Sequence, residues 1–560
     1  MSKPSPLRVL PSALLLMGLS LPSLAQQIPS AAEPGRQAPL PVMPMPAAPG
    51  GPILVPQSPA VQAPAGAEKF TLTLTQVTIE GATVFSEDEL EALYRDLIGK
   101  QVTVLDLFKI ANDLEVKYRN AGYITTRVIV PEQEIDDGHF RLVVVEGFVS
   151  GVVMPDDIGP AKAAVNKLIE PLRGVRPINI ADIERRLLLA NDLAGLTVRG
   201  SLEPSPTELG GSVIVISTER KAVDSSLSLS DRNSRYLGDA ELGANIIFNS
   251  FGSRADRFSL NARTSIPLDR SWGVSGTYDA LLNSDGLAGA FTSSYAYSQP
   301  GLELEELDVE SEVISEVASL SYPLIRSRRQ NLRLFSEFEY RNVYTDIAGE
   351  AFNRDRLRIL RAGLSYDRTD SWNGITAARA TVHQGLDLMN ASDEGSEYAS
   401  RFNGRSDFTK FTADLTRIQQ LPGNFSLLAT ATGQVTNRPL LASEEIALGG
   451  PNFGRGYDDG EVAGDSGWAA ALELRYNSFG LPLFPRGIQY YAFYDAGQVW
   501  SKAEARFEGH QNLFSTGLGL RVNLLDNLFA TAEFSQPLNR DVQTEGDKSP
   551  RTFFSLVAHY

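Results

Sequence analysis

The sequence has no cysteine and only four histidines among 560 residues. A disulfide framework, a thiolate metal site and a thiol nucleophile are therefore excluded. His139 falls in a turn, while His383, His510 and His559 are scattered over strands or a loop. Each reads as structural or solvent-facing rather than as a metal ligand. Positive charge is in deficit: 51 Lys and Arg against 68 Asp and Glu give a net charge of −17. A nucleic-acid binder shows a basic stripe, so no nucleic acid is expected as partner. No Gly-x-x-x-x-Gly-Lys-Ser/Thr phosphate loop occurs, and no catalytic constellation. No enzyme activity, metal or cofactor is expected. Hydrophobic residues make up 42%, too few for a bundle of membrane helices. A transmembrane β-barrel manages with that share, because every second residue faces a polar interior.

Lys3 and Arg8 precede an apolar run from Val9 to Leu21, which ends in Ser23-Leu24-Ala25. Charge, apolar core and small residues in that order predict a signal peptide over 1–25. Pro11, Ser12 and Pro22 interrupt the run, which is short for a membrane span of about 20 residues. Residues 26–68 are rich in Pro, Ala and Gly and read as a linker.

Residues 69–148 and 149–223 repeat one order: strand, helix, helix, strand, strand. In the first module a strand over 70–79 precedes a helix capped by Ser86 with Glu89 as its capping-box partner. Leu107, Ile110, Leu114 and Tyr118 stripe a second helix over 105–120. Strands over 123–130 and 139–146 follow, joined by a turn at Asp136-Asp137-Gly138. In the second module a strand over 148–154 precedes helices over 161–170 and 180–189, the latter capped by Asn179. Strands over 197–202 and 212–218 close it. One sheet face buried under two helices leaves a free strand edge, which captures extended peptides by strand addition. The alternative is an inert spacer.

From 224 to 560 the helical period disappears. Sixteen short alternating runs follow, separated by Gly, Asn, Asp, Ser and Pro. Each run with its connection takes about 21 residues, and a membrane strand needs about 9–11 of them. A closed antiparallel barrel follows. Trp468, Ala470, Leu472, Leu474 and Tyr476 share one face of a run, while Glu473 and Arg475 hold the other. Leu518, Leu520 and Val522 oppose Arg521. Phe554, Leu556, Ala558 and Tyr560 share a face of the last run. Arg or Lys in hydrocarbon costs about 2–4 kcal/mol, so the charged faces line the lumen. A soluble β-sandwich or β-helix is the alternative.

An even strand number with both barrel ends on one side makes the 436–466 connection external, and it is long. It holds six glycines, with Arg455-Gly456-Tyr457 at its centre. The strand over 488–500 puts Tyr491, Phe493, Asp495, Gly497 and Val499 on one face. Asp495 belongs in the lumen, where a loop arginine folding back would form a charge-assisted pair. Otherwise both are unrelated lumen charges.

The chain resembles the two-partner secretion transporters of the FhaC/ShlB type, in the superfamily of outer-membrane insertases with POTRA modules. Three stretches carry the resemblance: Gly122-Tyr-Ile-Thr-Thr-Arg-Val-Ile-Val-Pro131 through Val145-Glu-Gly147, Arg455-Gly456-Tyr457, and Phe493-x-Asp495-x-Gly497. The family has a Val-Arg-Gly-Tyr/Phe tetrad at the loop tip, and Gly454 stands where that valine would be. The resemblance implies two periplasmic POTRA domains (69–148 and 149–223) and a 16-stranded outer-membrane barrel over 224–560 of a Gram-negative bacterium. It also implies that Arg455 pairs with Asp495 on the inner wall, with Glu473 and Arg475 as supporting lumen charges. Phe554, Leu556 and Tyr560 match a barrel-assembly signal, which usually ends in Phe. The implied partners are a secreted exoprotein with an N-terminal secretion domain, periplasmic chaperones, the barrel-assembly machinery and outer-membrane lipid. An assembly insertase is the first alternative, a diffusion porin the second and a surface enzyme the weakest.

Overall fold

A computed structural model describes residues 29–32, 61–401, 403–480, 484–502 and 509–560. The expected signal peptide lies outside the described residues, as does most of the 26–68 linker.

The first module carries β1 (Thr71–Thr73), β2 (Gln76–Glu80), α1 (Glu87–Glu91), β3 (Gln101–Thr103), α2 (Val104–Asn120), β4 (Arg127–Ile129) and β5 (His139–Val145). Ser86 and Glu89 form the expected capping box at α1. The strand expected over 70–79 breaks at Leu74-Thr75. β1 turns aside to pair with β3, and β2 runs parallel to β5. The expected turn at 136–138 is present as a short 3-10 turn, but β4 is three residues long, so 130–138 form a longer connection than a strand over 123–130 implies. His139 opens β5 rather than sitting in a turn. The α2 stripe (Leu107, Ile110, Leu114, Tyr118) is buried against Phe140 and Leu142 of the sheet.

The second module holds β6 (Phe148–Val153), α3 (Lys162–Ile169), α4 (Ile180–Asn191), β7 (Leu196–Pro204) and β8 (Gly211–Arg220). Its sheet order is β6-β8-β7. Asn179 caps α4 by accepting from the Ala181 amide at 3.0 Å. The same side chain donates to the Ala121 carbonyl at 3.0 Å, and the Ile180 amide donates to the Gly122 carbonyl at 2.9 Å. One cap therefore also joins the modules, and Gly122 permits this with φ +94°.

The barrel begins with β9 (Val223–Ser230), β10 (Ala240–Asn249), β11 (Arg257–Ile266) and β12 (Ser271–Leu281). It continues through β13 (Ala288–Ser298), β14 (Val309–Arg326), β15 (Gln330–Ile347), β16 (Glu350–Thr369) and β17 (Gly374–Gly385). β18 (Thr409–Gln420) and β19 (Phe425–Thr436) follow. Short strands β20 (Ile446–Leu448) and β21 (Val462–Gly464) pair with each other inside the next connection. β22 (Ser466–Ser478), β23 (Ile488–Trp500), β24 (Gln511–Leu525), β25 (Leu528–Pro537) and β26 (Arg551–His559) complete the wall. Sixteen strands close into an antiparallel barrel, with β26 paired to β9. The sixteen sequence runs fall on these strands. β14, β15 and β16 reach 18, 18 and 20 residues, longer than their runs. Their extra length lies mostly at the end away from the modules, where Glu310, Asp346 and Arg354 replace the apolar alternation.

Trp468, Leu472, Leu474, Tyr490, Tyr494, Leu518, Phe554 and Tyr560 are exposed on the outer face. Glu473, Asp495 and Glu533 are buried on the inner one. The described turn Ser30–Ala32 packs at the far end on Tyr236, Leu237, Leu304 and Val309. Val61, by contrast, exchanges hydrogen bonds with Asn112 of the first module at 3.0 and 3.1 Å.

α4 docks on the barrel's near end. Arg326 donates a two-pronged bond to Asp192 at 2.8 and 2.7 Å, with its own side chain 1% exposed. Arg185 reaches the Pro323 carbonyl at 2.9 Å, and Arg186 pairs with Asp285 at 3.0 Å. Breaking one half of such a buried pair strands a charge, at a cost of about 3–5 kcal/mol. Asp192→Ala is expected to loosen the second module on the barrel while leaving the barrel folded. Hydrogen exchange along α4 would rise several-fold, with barrel strands unchanged.

Candidate functional site

The connection between β19 and β22 folds into the lumen instead of standing away from the barrel. β20 and β21 form its stem, and Gly449 (φ +121°), Gly450 (φ +80°) and Gly454 (φ +85°) turn its tip. Only glycine adopts such φ values without strain. A Cβ at Gly454 would also lie 2.5 Å from Leu513 Cδ1. This backbone therefore accounts for glycine where the family tetrad has valine. Leu448, Phe453, Tyr457 and Val462 bury themselves against Ala469, Ala471, Val499 and Leu513 of the inner wall. Leu513 is fully covered.

Arg455 sits at the centre of this contact. Its Nε and Nη2 donate to the two oxygens of Asp495 at 3.1 and 2.8 Å. The Gly454 and Arg455 amides add bonds to the same carboxylate at 3.2 and 2.9 Å, and Ser515 Oγ adds one at 3.3 Å. Asp495 is 0% exposed, so these donors replace all of its water. Arg455 Nη1 pairs with Glu473 at 2.5 Å. Glu473 in turn accepts from Arg475 Nε at 2.7 Å and Arg521 Nη1 at 2.8 Å. The guanidinium lies 3.6 Å over the Phe493 ring, a cation–π contact. Burial works against the charge on Arg455. Hydrogen bonds and attraction from Asp495 and Glu473 outweigh it and lift its proton affinity above the usual arginine range.

The glycines beside it are spacing devices. A Cβ at Gly456 would lie 2.9 Å from the Pro537 nitrogen, and one at Gly497 would lie 2.6 Å from Leu448 Cδ1. Tyr457 donates to the Phe514 carbonyl at 3.0 Å and meets Asn539 at 3.0 Å. The structure thus brings together Arg455, Gly456, Tyr457, Phe493, Asp495, Gly497, Glu473 and Arg475. Phe554, Leu556 and Tyr560 lie apart, on the lipid face beside the seam. Sequence reasoning missed Glu444, Asp458 and Glu461, which also pin the connection. Asp458 accepts from Arg551 at 2.8 Å. Their only sequence signal is that acidic side chains recur in a loop expected to enter a lumen.

Residues 210–522 match the family described as haemolysin secretion/activation protein ShlB/FhaC/HecB. The chain belongs to that family. Residues 72–147 match the POTRA domain of ShlB type. The heme/hemopexin transporter protein HuxB of Haemophilus influenzae is 23% identical over 487 residues, 85% of each chain. The hemolysin transporter protein HpmB of Proteus mirabilis is 25% identical over 473 residues, 80% of this chain and 79% of its own. Among solved structures, CdiB from Escherichia coli superposes with a TM-score of 0.72 at 17% identity, covering 89% of this chain and 92% of its own. The barrel stands in the outer membrane with its POTRA modules in the periplasm, so the far end is external.

Two outcomes follow. Arg455→Ala leaves Asp495 buried without its main partner and costs about 3–5 kcal/mol of loop anchoring. Arg455→Lys keeps the charge but not the fork, so it restores only part of that. Hydrogen exchange over 449–457 would rank wild type slowest, lysine next and alanine fastest. The second outcome concerns Glu461, whose carboxyl is pushed up to about 7 by burial and by Asp458. Its unfolded value is 4.5, so the folded state holds the proton more tightly. Anchoring is therefore full below the unfolded value and falls as pH rises towards the folded one. Protection factors over 458–464, corrected for the intrinsic pH dependence of exchange, are expected to be higher at pH 5.5 than at pH 8, and Glu461→Gln to flatten that difference.

Proposed function

We propose that this chain carries one unfolded exoprotein from the periplasm to the cell surface. The POTRA modules, 69–148 and 149–223, receive the exoprotein's N-terminal secretion domain as an extended chain. The sheet edge at β7, the part of the β6 edge beyond the Val149–Arg173 bridge, or the groove between modules supplies modest and reversible affinity. The cargo then passes through the barrel once the 436–466 loop leaves the Asp495 wall. Folding outside draws the chain forward, with no catalytic step and no cofactor. The observation that carries this reading is the Arg455 contact: a loop with its own apolar core is held inside the lumen by a neutralised, separable ion pair. A diffusion porin accounts for the barrel but not for docked modules or a buried loop arginine.

An insertase would open between β9 and β26. Their ladder is the shortest in the wall, from Ser555↔Ser230 to His559↔Ser226. Ser225 and Tyr560 add reciprocal backbone bonds at 3.2 and 2.8 Å, and Lys221 holds the Tyr560 carbonyl at 3.1 Å. A seam fastened at its end favours passage through the lumen. On the same strand Phe554, Leu556 and Tyr560 would be read by the barrel-assembly machinery, after periplasmic chaperones have delivered the chain to the lipid.

The test first looks beside this gene for one encoding a large, exported, repeat-rich protein, and then measures secretion of that product. Deletion is expected to trap it in the periplasm, wild type to release it, and Arg455→Ala at matched barrel levels to fail. Unchanged secretion without the gene, together with loss of other outer-membrane proteins, would instead make this chain an insertase.

A further inference from the structure

Besides the Arg455 fork and the Asp458–Arg551 pair, the loop meets the wall at a further buried ionic cluster, in which the loop supplies the anion. Glu444, in the limb leaving β19, is 3% exposed. Its Oε2 accepts from Lys410 Nζ at 2.6 Å and its Oε1 from Arg341 Nη1 at 3.0 Å. Arg361 stands 3.7 Å from Oε1. Lys410 also donates to the Glu444 carbonyl at 3.0 Å, as does Gln434 Nε2. On the wall, Glu339 pairs with Arg341 at 2.7 Å and Arg361 at 2.5 Å. Burial disfavours the charge on Glu444, but Lys410, Arg341 and Arg361 overcome that and hold it well below the usual carboxylate range.

These partners belong to β15, β16 and β18, a different sector of the wall from the β22–β24 face under Arg455, with β19 between them. One limb of the loop presents an anion to a basic sector. The tip presents a cation to an acidic sector. Neither end can settle on the other's wall without setting like charges together in a dry site. With Glu444 in place, three cations face two carboxylates. Without it, they face Glu339 alone.

We propose that Glu444 is a further positioning residue of the loop, a latch on the β15–β18 sector that must release, along with Arg455 and Asp458, before the lumen clears. The inference rests on reading the 436–466 loop as the movable obstruction. It adds a consequence of its own: once Glu444 withdraws, the β15–β18 wall offers Arg341, Arg361 and Lys410 to the passage as an anion-attracting surface.

The test is purified full-length protein in planar bilayers under a KCl gradient, with no exoprotein present. Glu444→Gln keeps the size and removes the charge. Loss of charge-assisted bonds is expected to raise opening frequency about tenfold. The reversal potential should shift towards anion preference. Lys410→Met removes one latch partner from the wall side. It too should raise opening frequency, but with the opposite shift in selectivity. Heat-modifiable migration verifies that each barrel is folded, and either variant suffices if the other does not assemble. Wild-type opening frequency in the folded variants would overturn the latch, as would a selectivity shift of the same sign in both. Secretion is not measured here, so a failed latch leaves the transport reading standing, and a failed transport reading leaves the conductance result intact.

Discussion

One guanidinium bridges two carboxylates in a place that water does not reach, and the loop's seat in the lumen depends on it. Asp495 and Glu473 stand on adjacent strands, facing inward because hydrocarbon outside forbids anything else. Without that guanidinium, Glu473 would keep Arg475 and Arg521, but Asp495 would be a buried anion with no cation beside it. Arg455 answers both at once, and it comes from a loop. Holding the wall together and holding the loop inside are thus one act. Gly454, Gly456 and Gly497 serve that act by letting backbone approach where a side chain would collide.

The loop's other contacts make sense as supports for this fork. The apolar set of Leu448, Phe453, Tyr457 and Val462 keeps solvent from the ion pair, which strengthens it. Tyr457 ties the tip to the β24–β25 side through Phe514 and Asn539. The periplasmic modules are held at the near end by α4, so the second module is set against the barrel rather than swinging on a tether. A cargo released from that module would meet the lumen directly, with the loop as the obstacle beyond it.

Much of this was legible in the residues. Alternation with a period of two, with charges confined to one face, marked the sixteen strands and told lipid from lumen at Leu472 and Glu473. The Ser86 and Asn179 caps were local and readable. The pairing of Arg455 with Asp495 was not local: the two lie 40 residues apart, so the residues suggested the pair but left unrelated lumen charges as the alternative, and the family resemblance chose between them. Glu444 was invisible for the same reason. Arg341, Arg361 and Lys410 each look like an ordinary lumen charge on its own strand, and only barrel closure gathers them round one carboxylate. The break in the 70–79 strand was missed because β1 is claimed by β3, a partner that lies beyond α1. Arg185 and Arg186 read as a solvated helix face until the barrel turns beneath them appear.

The most direct measurement of the central claim uses the absence of cysteine. Leu513→Cys puts a single thiol on the inner wall directly beneath Gly454, where the resting loop covers Leu513 completely. An exoprotein bearing one cysteine would be stalled in transit and disulfide trapping scored, with a maleimide reaction on resting protein alongside. The account predicts a thiol protected at rest and joined to the cargo during transport. A thiol that stays protected while the exoprotein reaches the medium would contradict it, since the loop would then never have left the wall.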